Sequence, residues 1–189
     1  MRPPFTHTMT TDIPPIEPSL RGDSFSSQCL WLSDAYAEAA VVLCEAMVAE
    51  DFQREYTQAR VILQLCRHAL ELFLKGAISS KPGTKLQRTH RLDVLYGEYQ
   101  ALFPSEKHAI DPPFPREVLQ NALSNLFPDS LEAYQRSHDQ RYRYPADVAG
   151  TPFLDHQPFD VLAQLESIKN FRNQINWMVA RIDWDWWNF

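Results

Sequence analysis

Residues 60–78, RVILQLCRHALELFLKGAI, constrain the fold more than any other stretch of the chain. At about 100° per residue, Arg60, Gln64, Arg67, His68, Glu71 and Lys75 fall in one arc roughly 100° wide. Apolar and small side chains fill the rest of the circumference. A helix of that kind is a buried central helix and must be wrapped by other helices. Its polar strip needs water, a ligand or charged partners from a neighbour. The strip can also pair within itself, because Arg67 and Lys75 each stand four residues from Glu71.

The remaining periodic segments are helical too. Residues 27–50 are rich in alanine and free of Gly and Pro, with Asp34, Glu38 and Glu45 on one face. Asp51 reads as the N-cap of the central helix, and Lys81-Pro82-Gly83-Thr84 as its stop signal. Thr89 reads as the cap of a short helix, LDVLYGEYQALF. Four prolines between residues 104 and 115 mark an irregular excursion. Shorter helices are expected over 116–127 and from 130 to about 144, where Pro145 stops the second. The last long helix carries Val161, Leu165, Ile168, Phe171, Ile175, Met178, Val179 and Ile182 at helical spacing. No strand pattern competes, so the expected class is all-α, with long helices near 28–50, 52–79 and 159–182.

Length and composition fit one domain with a terminal extension. Residues 1–25 hold five prolines and little apolar periodicity, and read as an extended or draped tail; residues 26–189 read as the bundle. No apolar run approaches the roughly 18 residues of a membrane span. The N-terminus shows no basic-then-apolar signal pattern, so the expected location is the cytoplasm. Cys29, Cys44 and Cys66 have neither metal-ligand nor disulfide spacing and read as buried thiols. There is no Gly-rich phosphate loop and no nucleophile elbow, so neither a cofactor nor a metal is expected.

Charge is unevenly spread. Between Arg54 and Arg91 lie eight Lys or Arg against Glu55 and Glu71, a local net charge of +6 in a chain whose total is −6. A basic segment in an acidic chain points to an anion site for phosphate or RNA, or to one half of a self-complementary contact. Arg60, Arg67, Lys75, Lys85, Arg88 and His90 supply that segment. Arg141 and Arg143 interleave with Tyr142 and Tyr144, a pattern that suits phosphate contact and base stacking.

The order of elements carries a family likeness. Two long helices, a short helix after a Thr-His turn and a final long helix bearing Arg172-Asn173, with HALELFLKG and RTHRLDVL between them, resemble the HEPN family. SHDQRYRYP is similar to the Arg-Tyr-Pro segment before the last helix of some HEPN proteins. The resemblance implies an antiparallel helical bundle with extra short helices, working as a homodimer. It also implies RNA or nucleotide as ligand, and a toxin–antitoxin or phage-defence setting with a partner protein encoded nearby. Catalytic HEPN members are metal-independent ribonucleases. Their motif is an arginine, a polar residue and, four to six residues on, a histidine, paired across the dimer. The arginine would stabilise phosphorane charge and the imidazole would handle the 2′-OH proton.

Here Arg172 stands where that motif begins, but Trp177, Met178 and Val179 occupy the histidine's place, and no histidine follows His156. The expected function is therefore a non-catalytic module binding RNA, nucleotide or a partner protein. The alternative is a divergent endoribonuclease with a rearranged site drawn from Arg172, Asn176, His68, Arg67 and Glu71. Arg172 lies on an apolar stripe, which requires a carboxylate partner. Glu71 is the expected one, or else a carboxylate of the first helix; the rival arrangement has Glu71 paired only with its own i±4 bases and Arg172 pointing into a cleft.

Overall fold

The computed structural model describes residues 24–49, 55–85, 87–120, 128–153 and 159–187. Its helices are α1 (Phe25–Ala49), α2 (Glu55–Ser80), α3 (Leu92–Leu102), α4 (Pro128–Arg141) and α5 (Val161–Trp187). Single 3-10 turns stand at Glu106–His108 and Arg116–Leu119. Among the described residues the only extended pairing is an isolated antiparallel bridge between Ala146 and Pro152, so the class is all-α.

The long helices stand where apolar periodicity places them, with ends set by local caps. The Ser24 hydroxyl accepts from the Ser27 backbone N–H at 3.1 Å, an N-cap that opens α1 at Phe25 rather than at 28. Asp160 Oδ1 accepts from the backbone N–H groups of Leu162 and Ala163, both at 3.1 Å, and opens α5 at Val161 rather than 159. α5 continues past 182 to Trp187. At its far end α2 closes on the Lys81-Pro82-Gly83 turn, where Gly83 takes φ 79°. Thr84 Oγ1 then donates to the Ile78 carbonyl at 2.8 Å. Of the expected tail over 1–25, residues 1–23 lie outside the described residues, while Ser24 and Phe25 belong to the start of α1. The expected cap Asp51 lies outside the described residues too, as do Arg54 and His156. So do the side chains of Trp184, Trp186, Trp187 and Phe189, which were expected to pack on the bundle or a partner.

Two local expectations are not met. The helix expected over 116–127 opens as one 3-10 turn and turns extended at Gln120, at φ −73° and ψ 151°. The buried Gln135 of α4 donates through Nε2 to the carbonyls of Glu117 and Gln120, at 3.0 and 2.8 Å. Residues 121–127 lie outside the described residues. Thr89 does not cap α3; Arg91 occupies that position. Thr89 Oγ1 instead accepts from the Arg91 backbone N–H at 3.1 Å, a local turn that holds the loop before the helix.

α1 and α2 run antiparallel. Ser26 Oγ donates to the Gly76 carbonyl and Ser33 Oγ to the Ala69 carbonyl, both at 2.7 Å. The crossing is tight enough to require Gly76: a Cβ there would lie 2.8 Å from Leu30 Cγ and 3.1 Å from Cys29 Cβ. α5 lies antiparallel on the other side of α1, with Val161 near Cys44 and Arg172 at Asp34. α3 packs on α2, where Tyr99 meets the Phe73 ring edge-on at 5.5 Å. The core draws Leu70, Phe73, Leu74 and Ile78 from α2, Ala37, Ala40 and Cys44 from α1, and Ile168, Phe171 and Ile175 from α5. All three cysteines are free and buried. Among the described residues, no helix is long and apolar enough to cross a membrane.

Candidate functional site

The polar strip of α2 is not its wettest edge. Arg67 and Glu71 are 2% and 3% exposed, whereas Val61 on the neighbouring edge is 51% exposed. What seals the strip is the loop before α3. Arg67 Nη1 donates to Glu71 Oε2 at 3.0 Å, and its Nη2 donates to the His90 carbonyl at 2.6 Å. Lys75 Nζ donates to Glu71 Oε1 at 2.7 Å, and the same oxygen meets His90 Nδ1 at 2.8 Å. One buried carboxylate thus gathers an arginine, a lysine and a histidine.

The electrostatics follow from that geometry. Burial acts to raise the Glu71 carboxyl, but the hydrogen bond and charge of Lys75, the His90 hydrogen bond and the Arg67 charge together hold it below its ordinary value. An ionised Glu71 accepts, so His90 Nδ1 carries the proton and its Nε2 is left for other partners. The His90 side chain is 74% exposed although its partner is buried. With two permanent cations on one carboxylate, the cluster has a surplus of positive charge. Lys85 and Arg88, in the same loop, are exposed and meet no carboxylate among the described residues.

Arg172 does not join this cluster. Its Nε donates to Asp34 Oδ1 at 3.0 Å and its Nη2 lies 3.4 Å from Glu38 Oε1. The expected Arg172–Glu71 pair is therefore replaced by a pair with α1. The physical reason is the layering: α5 lies mainly against α1 and little against α2, so the acids of α1 are in reach. The acidic face of α1 accordingly meets α5 rather than the basic strip of α2, and Glu45 Oε1 binds Lys169 Nζ at 2.6 Å.

The other expected site residues divide into those near the cluster and those held elsewhere. His68 packs edge-on against Tyr36 of α1, with ring centroids 4.5 Å apart, and burial lowers its pKa. Asn176 is exposed on α5. Arg60 donates to the carbonyls of Arg141 and Tyr144 and so fastens the end of α4 to α2. The Arg141 guanidinium lies over the Tyr134 ring at 4.5 Å, and Arg143 over Tyr144 at 5.3 Å. Arg143 and Tyr144 are exposed. Arg60 and Arg141 therefore have structural work, whereas Arg143 and Tyr144 face outward.

Sequence reasoning missed two features. His138 of α4 is 1% exposed and boxed by Phe114, Tyr134 and Tyr142 at 5.2–5.4 Å. Burial, with the charges of Arg67 and Arg141, lowers its pKa to about 3, and neither ring nitrogen has a hydrogen-bond partner among the described residues. Tyr134 and Tyr142 stand four residues to either side of His138 in the sequence, but the closure of the box by Phe114 comes only with folding. The second feature is a small cavity between the ends of α2, α3 and α5, lined in part by Lys81, His108 and Arg181. Its residues come from distant segments and form no motif. Among the described residues, no group of three or more His, Cys, Asp or Glu could hold a metal ion. No protein-family model, curated protein or solved structure matches this chain.

Proposed function

We propose that this chain is a HEPN-like, non-catalytic module that binds RNA through the edge formed by Lys75, Lys85, Arg88 and His90. One observation carries the reading. Glu71 is buried and saturated by Arg67, Lys75 and His90, so it neutralises only part of the positive charge around it and offers nothing repulsive to a phosphate. Arg91 of the loop that carries His90 pairs with Asp93, but Lys85 and Arg88 of that loop are exposed and meet no carboxylate among the described residues. Phosphate contacts of this kind supply affinity that falls steeply with salt. Arg143 and Tyr144 offer an exposed cation and an exposed ring for stacking, as single-stranded RNA uses.

Fluorescence anisotropy with a single-stranded RNA tests this. Replacing Lys85 and Arg88 together by Gln should weaken binding several-fold and flatten the slope of log affinity against log salt by about 1.4, at roughly 0.7 per phosphate contact on single strands. Unchanged affinity and slope would sink the reading.

The assembly belongs to the same reading. Phe25, Leu32 and Leu43 are 54%, 40% and 43% exposed and share one face of α1. The half-buried Tyr36 on that face touches His68, beside which α2 exposes Val61. A second copy covering this apolar face makes the homodimer that the family resemblance implies. Light scattering should give twice the chain mass, and Leu32→Asp with Val61→Asp should return the monomer.

A second reading, metal-independent RNA cleavage, is favoured by one contact. A carboxylate that fixes the Nδ1 proton of an exposed imidazole leaves Nε2 as a proton acceptor for a ribose 2′-OH. That reading uses His90 and Glu71 in place of Arg172 and His68. A 2′,3′-cyclic phosphate product that disappears in His90→Ala would establish it; intact RNA after prolonged incubation with the wild type would remove it.

A further inference from the structure

We infer that the cavity between the ends of α2, α3 and α5 is a binding site for a small monocyclic aromatic carboxylate. It encloses about 180 Å³, below the roughly 300 Å³ at which drug-sized ligand pockets begin. That is room for a single ring with a short acidic arm and not for a nucleotide, so this site is separate from the RNA-binding edge and does not rest on it.

The walls combine apolar and cationic side chains. Leu102, Phe103, Pro104, Met178 and Ile182 make one side apolar. Tyr99 stiffens it: its hydroxyl donates to the His108 carbonyl at 2.8 Å, and its ring stacks on Phe103 with centroids 5.0 Å apart. Lys81 and Arg181 line the same cavity. Neither has a carboxylate partner among the described residues. Lys81 Nζ rests 4.7 Å from the Phe103 ring centroid and the Arg181 guanidinium 4.0 Å from that of Trp177. Cations held on aromatic faces are partly dehydrated yet unneutralised, and an incoming carboxylate gains from both. His108 adds a third polar group. Its ring meets Phe103 edge-on at 5.4 Å, and its buried Nδ1 has no hydrogen-bond partner among the described residues. Apolar walls with two cations that have no carboxylate partner select an acid with a flat apolar body; an inorganic anion leaves the apolar walls unused, and a neutral aromatic leaves the cations unused.

Phenylacetate is the probe. Titrated into the full chain and followed by amide resonances, it should shift residues 102–108 and 178–182 saturably, with a dissociation constant in the high-micromolar to millimolar range expected of so few atoms. Phenylacetamide, which lacks the charge, should bind at least about ten-fold more weakly. Acetate and phosphate should give no saturable shift. Lys81→Gln and Arg181→Gln alter partly or fully exposed side chains, so both should fold as the wild type does by circular dichroism, and each should weaken phenylacetate about five-fold. Absence of saturable shifts, equal binding of the amide, or unchanged affinity in both Lys81→Gln and Arg181→Gln would each overturn the proposal. RNA binding measured on the same variants keeps the two sites distinguishable, since losing one leaves the other intact.

Discussion

Arg67 and Arg172 each interrupt an apolar stretch of helix and each meet carboxylates, yet they live in opposite settings. Arg67 is 2% exposed, pairs along its own helix and is closed over by the His90 carbonyl. Arg172 has a side chain 27% exposed and reaches across to a second helix, where Asp34 and Glu38 are themselves partly in water. The two also differ in what their loss leaves behind. Removing Arg172 leaves two acids that water can solvate. Removing the counter-charge of Arg67 leaves a cation that water cannot reach.

The largest test of that contrast is Glu71→Gln. It strands Arg67 and Lys75 without their carboxylate and should cost about 3–5 kcal/mol in urea unfolding, the usual penalty for breaking a buried pair. A loss under about 1 kcal/mol would mean that the cluster is hydrated and no different from Arg172.

Acid should strike the same buried side of the molecule next. His138 has an ordinary pKa of 6.5 when unfolded and about 3 when folded, so below pH 6.5 the unfolded chain binds the extra proton. Its contribution is complete above the unfolded value and is lost as pH falls. By pH 5 the loss should reach about 2 kcal/mol, at 1.36 kcal/mol per unit. Burial lowers His68 as well, and it adds in the same direction. Glu71, held low, begins to contribute to the loss only further down. His138→Phe should flatten the slope of stability between pH 6.5 and 5; a slope unchanged from wild type would place the acid sensitivity elsewhere.

Smaller effects belong to the exposed network. Arg172→Ala should lower stability by about 1 kcal/mol or less, because both partners retain solvent. It should leave RNA affinity unchanged, since Arg172 is engaged on α1. A drop of several kcal/mol would make the two arginines equivalent after all. Smallest is Lys169→Ala, which breaks a contact with Glu45 in which both side chains are about half exposed; its melting midpoint should match wild type within error.

Reading the chain located the long helices because their apolar residues recur at helical spacing over many turns, and a cap shifts an end by only a few residues. It marked Arg67, Glu71, Lys75 and His90 as polar residues of interest because charge stood against an apolar background. It did not reveal that His90 folds back onto Glu71, since that contact spans 19 residues and depends on the turn at Thr89. Nor did it find His138 or the Lys81–His108–Arg181 cavity, whose members share no spacing. Gly76 counted in the sequence only as one of the small residues of the central helix; its reason is Leu30, 46 residues away in the chain and under 3 Å from the missing Cβ.

The amino-acid sequence by itself determined the all-α class, the three long helices and the charge reversal between Arg54 and Arg91, because these depend on side-chain pattern within a helix and on composition. Only the tertiary structure decided which acid answers Arg172, that the polar strip of α2 is sealed, and where cations are left without partners. A helical period records which residues share a side, but not which neighbour covers that side. Burial by the neighbour, through the loss of water, turns the same arginine–carboxylate pair from a marginal contact into a requirement of the fold.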